Sequence, residues 1–509
     1  MDPITRRQFA WRAAAGGAAL LLGGCAGGGS ASTRPARTAA AVAAGDPLRA
    51  LARELRGPLL LPSDAAYAQA RLPFNSRYDG IHPRAVAQPL DTRDVQTLVR
   101  WSSKNRIRLA ARSGGHSYAG YSTVANGVVV DLSRLRGIGI HHDTVTIGAG
   151  SQLLDVYRDL ASHGLTIPAG TCPSVGIAGH LQGGGMGMAG RKLGLACDRL
   201  RGARIVTADG RALHVTSRTH PDLFWALRGG GGGNFGIVTS FELAPFAVRQ
   251  ASWFVLTWPW AAAADALDAW QRFVPHAPAE LTSIITLGTG GTSPTVTAVG
   301  QYFGSEAALR SLASPLTGVP GASFSSGTSA YLDLMLRWAG CLDRGYTACH
   351  TEGTHPGGVL PRDRFAAKSD YIHKPLSAAG RQALVSAVER RQATPADGSG
   401  ALVIDAYGGA INAVKPDRTA FIHRDQLFSV QQIAYFGPAA EGASLAWLRS
   451  VHGALKPHAS GQAYQNYIDP ELAGWRRAYY GANYKRLTQV KRSYDPDNLF
   501  RFAQSIHPA

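Results

Sequence analysis

The chain shows no internal repeat and no RNA-recognition, zinc-finger or basic-zipper pattern. It carries only 34 acidic residues against 52 lysines and arginines. The resulting formal charge of +18 would suit nucleic acid, an anionic membrane surface or an acidic ligand. The arginines are scattered instead of forming blocks, so nucleic acid is set aside as a partner. Charged residues are scarce at 17% beside 45% apolar residues, the balance of a globular chain and not of a disordered one. With 509 residues there is length for two domains and a substantial core. Cysteine is sparse, at positions 25, 172, 197, 341 and 349, and no residue set is assigned to a metal. In an oxidising compartment Cys341 and Cys349 could close a small loop, a pairing that sequence alone does not fix.

The apolar run near the start, Ala13 to Leu22, is too short to span a bilayer. It follows Arg6 and Arg7 and precedes Gly23, Gly24 and Cys25, the flanks of an export signal. Paired arginines point to the bacterial route that carries folded proteins. Residues 1–24 are therefore read as a twin-arginine signal, which places the protein in the periplasm, at the cell surface or outside the cell. "LGGC" reads either as a lipoprotein cleavage box, with Cys25 as a lipid anchor, or as an ordinary cleavage region with Cys25 discarded. Residues 25–49, rich in Gly, Ala and Ser, form a flexible tether.

From residue 50 to 246 short helical and short β patterns alternate, with many glycines between them. "SQLLDVYRDLASHG" has helical spacing, and "ARIVTADGRALHV" reads as a hairpin turning at Asp209-Gly210. From 247 to 455 the β runs lengthen, as in "SWFVLTWPW", "LTSIITLG" and "LFSVQQIAYF". Amphipathic helical stretches such as "AADALDAWQRFV" lie between them. The fold class is α+β, with a broad antiparallel sheet covered on one face in the second unit. The aromatic tail, 456–509, is expected to return to the first unit.

Two glycine-rich stretches stand out. "ARSGGHSYAGYS" holds Arg112, Ser113, Gly114, Gly115, His116, Ser117 and Tyr118. Glycines beside a short strand mark close approach by a ligand or another backbone. "GTCPSVGIAGHLQGGGMGMAG" holds Cys172, Val175, Gly176, Gly179, His180 and Gly184. The GxGxxG at Gly185 to Gly190 fails as a dinucleotide fingerprint, because no buried strand precedes it. Successive backbone N–H groups in such stretches can hold an anion, and a pyrophosphate between the two would account for both.

These stretches, with "PDLFWALRGGGGGNFGIVTSFE", "YQNYID" and "YYGANYKRLTQVKRSYDPDNLF", resemble the berberine bridge enzyme-like group. That group belongs to the vanillyl-alcohol oxidase/p-cresol methylhydroxylase (PCMH-type) flavoproteins. The resemblance runs from about residue 70 to the end and implies a two-domain PCMH-type fold. Its FAD domain would be 50–246 plus 456–509, and its substrate domain 247–455. It implies FAD bound twice covalently, through His116 to the 8α-methyl carbon and through Cys172 to position six of the ring. Imidazole and thiolate are both nucleophiles suited to an electron-poor flavin, and Arg112 would favour the thiolate if its guanidinium faced the ring. His180, Ile237, Val238 and Asn466 would support the cofactor, while Cys197 is read as core.

The resemblance also implies an FAD-dependent oxidase acting on a small-molecule alcohol, either an oligosaccharide or another hydroxylated natural product. Molecular oxygen would be the acceptor and hydrogen peroxide the product. Val175 favours oxygen, since bulkier residues there accompany dehydrogenases in the group. A dehydrogenase using another acceptor, and a surface lipoprotein that binds a ligand without turnover, are the alternatives. The expected base is Tyr467, with Tyr464 beside it. A phenol near pKa ~10 needs a cation or a donated hydrogen bond to act so. Lys368, Asp405 and Tyr407 are candidates for the opposite wall.

Overall fold

The computed structural model describes residues 47–394 and 398–509. Residues 1–24, read in sequence as an export signal, and Cys25 lie outside the described residues, as does most of the stretch read as a tether. Residues 47–49, read in sequence as the end of the tether, are helical instead. Pro47 opens a helix, Pro47–Glu54, which buries Leu51.

The first unit holds a four-stranded and a five-stranded sheet. In the four-stranded sheet, Leu109–Arg112 and Ala85–Ala87 run parallel to the central strand Val128–Asp131. The helix Thr92–Asn105 is fixed at its start by Asp91, whose carboxylate accepts the Arg93 and Asp94 N–H groups at 2.9 and 3.0 Å. It ends at Arg106, in the left-handed region. In the five-stranded sheet, Leu200–Val206 and Ala212–Thr216 form the hairpin expected around Asp209-Gly210. The strand Phe246–Ala247 still pairs with Leu165–Thr166 of this unit, and the large sheet begins at Gln250.

That second sheet has seven strands, all antiparallel. Its interior strands are Gln250–Trp258, Thr295–Tyr302, Leu281–Gly288, Gly398–Ala406 and Phe428–Phe436. The sequence reading leaves out Ser323–Ala330 and Phe365–Ile372, and these are the two edges of the sheet. "SFSSGTSA" lacks apolar alternation and this edge is half exposed, whereas Phe365–Ile372 is buried along its whole length. Helices Ala263–Phe273, Ala378–Gln392 and Glu441–Leu455 cover one face, packing on Val430, Ala434, Leu402, Ile404 and Ile285. Side chains alternate across a strand, so Gln431, Ile433, Ala401, Val403 and Ile284 face the other way, toward the first unit.

The last segment packs on the first unit. Tyr480 donates its hydroxyl to the Gly230 carbonyl at 3.1 Å. Buried Lys491 bridges the Asn234 carbonyl and Asp495, both at 2.6 Å. A loop of the second unit also docks there, through the buried pair of Arg424 and Asp198 at 2.7 Å. Cys341 and Cys349 are joined as a disulfide. Cys197 is fully buried and its thiol is pushed up by desolvation, consistent with a core residue.

Candidate active site

The glycine loops meet each other directly. A side chain on Gly114 would lie 2.2 Å from the Gly176 nitrogen and 2.5 Å from the Ser174 carbonyl oxygen. Only glycine permits that approach. The cysteine loop is held from behind by the first turn of helix Leu153–Ala161, where the Leu153 and Leu154 N–H groups donate to the Val175 and Pro173 carbonyls. Beside it, His116 lies stacked on Phe74 with ring centroids 3.8 Å apart, and its Nε2 is 3.0 Å from the Ser174 hydroxyl. The two loops thus fix each other, and the imidazole is oriented by both a ring and a hydrogen bond.

Together they border a cavity of about 530 Å³, within the range of roughly 300–1,000 Å³ usual for ligand sites. Ser113, Gly114, Gly115, His116, Ser117 and Tyr118 line it from one loop. Cys172, Val175, Gly176, Gly179 and His180 line it from the other. Ile237 and Val238 close one side, and Tyr464, Asn466 and Tyr467 another. His180 accepts the Gly170 N–H at 3.0 Å and so braces the loop. The Gly231–Gly233 turn, part of a stretch quoted in sequence but not assigned to the cofactor, also borders the cavity, as does Ser122.

Two expected cofactor residues do not line it. Arg112 turns the other way: its guanidinium is paired with Asp131 at 3.0 Å and donates to the Ala70 and Arg71 carbonyls. It cannot serve as the cation beside Cys172. Gly184 lies behind the cavity wall with φ +123°, where a side chain would strike the Phe421 ring at 2.7 Å. Lys368 is likewise committed, held by Asp469 at 2.8 Å and Glu471 at 2.9 Å. It borders neither this cavity nor the smaller one beside it. The same holds for Asp405 and for Tyr407, whose hydroxyl is 3.1 Å from that of Tyr371.

The two candidate phenols have different surroundings. The Tyr464 oxygen accepts the Gly185 N–H at 3.0 Å, the Asn466 amide at 2.9 Å and, more weakly, the Met186 N–H at 3.4 Å. Burial outweighs these donors and pushes its pKa up to about 12. Asn466 also donates to the His180 carbonyl at 2.9 Å, so Tyr464 and Asn466 clamp the second glycine loop. Tyr467 is stacked on Tyr118 at 5.5 Å and meets the Tyr464 ring edge-on at 4.9 Å.

The residues fit a dinucleotide cofactor. Ser122 and Thr123 bring buried hydroxyls without hydrogen-bond partners to the cavity. At Gly179 a methyl group would meet nothing within 4 Å, so bare backbone borders the space.

Fold and cavity define an FAD-linked oxidoreductase. Residues 83–216 match the FAD binding domain model, and residues 463–507 match the "Berberine and berberine like" model. An FAD-linked oxidoreductase of Bacillus subtilis is 33% identical over 465 residues, 89% of this chain and 98% of that relative. The chitooligosaccharide oxidase of Gibberella zeae is 32% identical, over 88% of this chain and 92% of its own. Among solved structures, Physcomitrella patens BBE-like 1 superposes with a TM-score of 0.83 at 30% identity, covering 90% of this chain and 98% of its own. The chain belongs to the berberine bridge enzyme-like FAD-linked oxidoreductases, the family its glycine loops and C-terminal motif resemble.

Proposed function

We propose that the protein is an exported FAD-dependent oxidase that takes a hydride from an alcohol-type substrate, with FAD joined covalently to His116 and Cys172. The observation that carries this reading is that the imidazole, the thiol and Tyr467 border one cavity. FAD, when bound, would supply a two-electron acceptor for the carbinol hydride, with dioxygen, released as hydrogen peroxide, as the final oxidant. The chain's own residues do the rest. Phe74 and Ser174 hold the imidazole ring in one orientation, so little conformational freedom is lost when it bonds. Tyr467 takes the hydroxyl proton as the carbinol becomes a carbonyl. Tyr464, acting through Asn466, keeps the second glycine loop in place. The oligosaccharide oxidase among the relatives supports an alcohol as reactant.

The test is acid precipitation of wild type, His116→Ala and Cys172→Ala, followed by intact mass. A doubly linked cofactor gives a yellow wild-type pellet carrying one FAD, less the hydrogens lost to dioxygen as each bond forms. Each single variant then keeps FAD through its other link. A colourless pellet with free FAD in the supernatant refutes the covalent assignment. Oxygen uptake with peroxide release, against reduction of a dye, decides between oxidase and dehydrogenase. Mass of the processed N-terminus from exported protein tests the twin-arginine route and lipidation of Cys25.

A further inference from the structure

The helix Leu153–Ala161 holds the cysteine loop at several points. Its Leu153 and Leu154 N–H groups donate to the Val175 and Pro173 carbonyls at 2.9 and 3.1 Å. One turn further on, Tyr157 donates its hydroxyl to the Gly170 carbonyl at 3.0 Å. The Ser151 carbonyl, just before the helix, accepts the Ile177 N–H at 3.0 Å. Cys172 therefore sits between two fixed points, Gly170 and Pro173, and the helix sets where its thiol enters the cavity.

What fixes the helix comes from the second unit. Residues 341–349 form a short excursion closed by the disulfide, and both of its cysteines are fully buried in a cluster with Leu154. From this excursion Tyr346 donates its hydroxyl to the Asp155 carboxylate. Just beyond it, the buried His350 places Nε2 3.0 Å from the same oxygen. Burial works against charge on Asp155, but the hydrogen bonds from His350 and Tyr346 outweigh it and hold its pKa below the usual carboxylate value. The Arg158 guanidinium lies 4.3 Å from the centre of the Tyr346 ring. Leu154, Asp155 and Arg158 are thus all engaged from the second unit, and none of them lines the cavity. The imidazole is held differently. His116 rests on Phe74, whose N–H donates to the Gly115 carbonyl at 3.1 Å, and it touches the cysteine loop through the Ser174 hydroxyl. Loosening the helix would therefore displace Cys172 more than His116.

We propose that Asp155 is a positioning residue for the Cys172–flavin bond, held in place by the disulfide-closed excursion, so that this bond, unlike the one at His116, depends on the Cys341–Cys349 disulfide. The inference rests on the covalent reading above and says what controls one of its two bonds. The new S–C bond replaces the thiol S–H and the ring C–H at position six, and dioxygen takes up the two protons and two electrons as hydrogen peroxide. Closure of the disulfide gives two protons and two electrons to a disulfide oxidant, of the kind an oxidising compartment supplies. A chain still in a reducing compartment would hold its cofactor through His116 alone. The dependence is steep, because a reacting group displaced by about 1 Å loses about 10²-fold in rate.

The test uses flavin-loaded protein in two backgrounds. His116→Ala can hold FAD covalently only through Cys172, and Cys172→Ala only through His116. Into each are placed Asp155→Asn, Tyr346→Phe, and Cys341→Ala together with Cys349→Ala. Covalent FAD per chain is read by intact mass after acid precipitation. The expected result is a loss of about tenfold in the His116→Ala background and of less than about twofold in the Cys172→Ala background. Hydrogen exchange at the Leu153 and Leu154 amides, which hold the loop, should quicken by about tenfold in the same variants. Equal losses in the two backgrounds would make the excursion a general support of the fold and overturn the inference, as would no loss in either; the covalent reading survives both outcomes. Wild type without covalent FAD overturns that reading, and the inference with it. Asp155→Asn and Tyr346→Phe leave the disulfide intact, so they carry the test if the cysteine pair fails to fold.

Discussion

Tyr464→Phe and Tyr467→Phe separate two phenols that stand edge to face in one wall. The first substitution removes an oxygen that accepts N–H groups from Gly185 at 3.0 Å, Asn466 at 2.9 Å and Met186 at 3.4 Å. Asn466 keeps the His180 carbonyl as a partner, so the donor left bare is the Gly185 N–H, with the more distant Met186 N–H behind it. A buried donor left unsatisfied costs about 1–3 kcal/mol, and with the Met186 N–H bare as well the total is roughly 2–4 kcal/mol. In a chain of this length 1 kcal/mol moves the melting temperature by about 1 °C, so Tm falls by about 2–4 °C. Turnover falls modestly, through the displaced glycine loop, and the pH profile of kcat keeps its shape. Tyr467→Phe keeps the ring stacked on Tyr118 but removes the proposed proton acceptor, so kcat should fall by about 10²–10⁴ and the limb reporting the base should disappear. Thermal melts and pH-rate profiles of both variants read these outcomes. An unchanged Tm with abolished turnover in Tyr464→Phe, together with an active Tyr467→Phe, would refute the division of roles.

Gly114→Ala should part the two loops, because its methyl group would meet the backbone of Gly176 at 2.2 Å and neither side can rotate away. The overpacking costs about 1–3 kcal/mol, and in-gel flavin fluorescence should show a several-fold loss of covalent FAD. Gly442→Ala, which meets nothing within 4 Å, is the control that keeps it. His423 is fully buried, and desolvation lowers its pKa from 6.5 to about 4. As pH falls from 6.5 toward 4 the unfolded chain takes up a proton that the folded chain refuses, so stability is lost through this window. The loss is about 3 kcal/mol at full extent. Melting curves between pH 7 and 4.5 should fall more steeply for wild type than for His423→Gln, and equal slopes would count against this assignment.

The parts of the site legible in sequence are those made by neighbours along the chain. The two glycine stretches announce themselves because close backbone approach demands glycine, and their reactive residues lie within the same few positions. Arg112 shows where neighbourhood misleads. It is four residues before His116, yet it is the last residue of a parallel strand and sits in register with Asp131 on the next one, so its charge is spent there. Lys368 is separated from Asp469 by a hundred residues of chain, and only the fold brings them to 2.8 Å. Phe74, a lone aromatic far upstream of His116, carries no local signal of the stacking it provides.

The side chains that line the small cavity are harder to read because their placement depends on parity. In "FSVQQIAYF" two glutamines are adjacent, and the alternation of a strand must send them to opposite faces. Gln432 turns to the Asp370 carboxylate, 2.6 Å away, while Gln431 turns to the cavity. A slip of one residue would put Gln432 and Ala434 where Gln431 and Ile433 now stand. What holds the register is the opposite face, where Phe428, Val430, Ala434 and Phe436 are buried under the helices. The same hydrophobic burial that stabilises the second unit therefore decides which side chains face the small cavity. A sequence reader sees the alternation but not which of its two faces is covered.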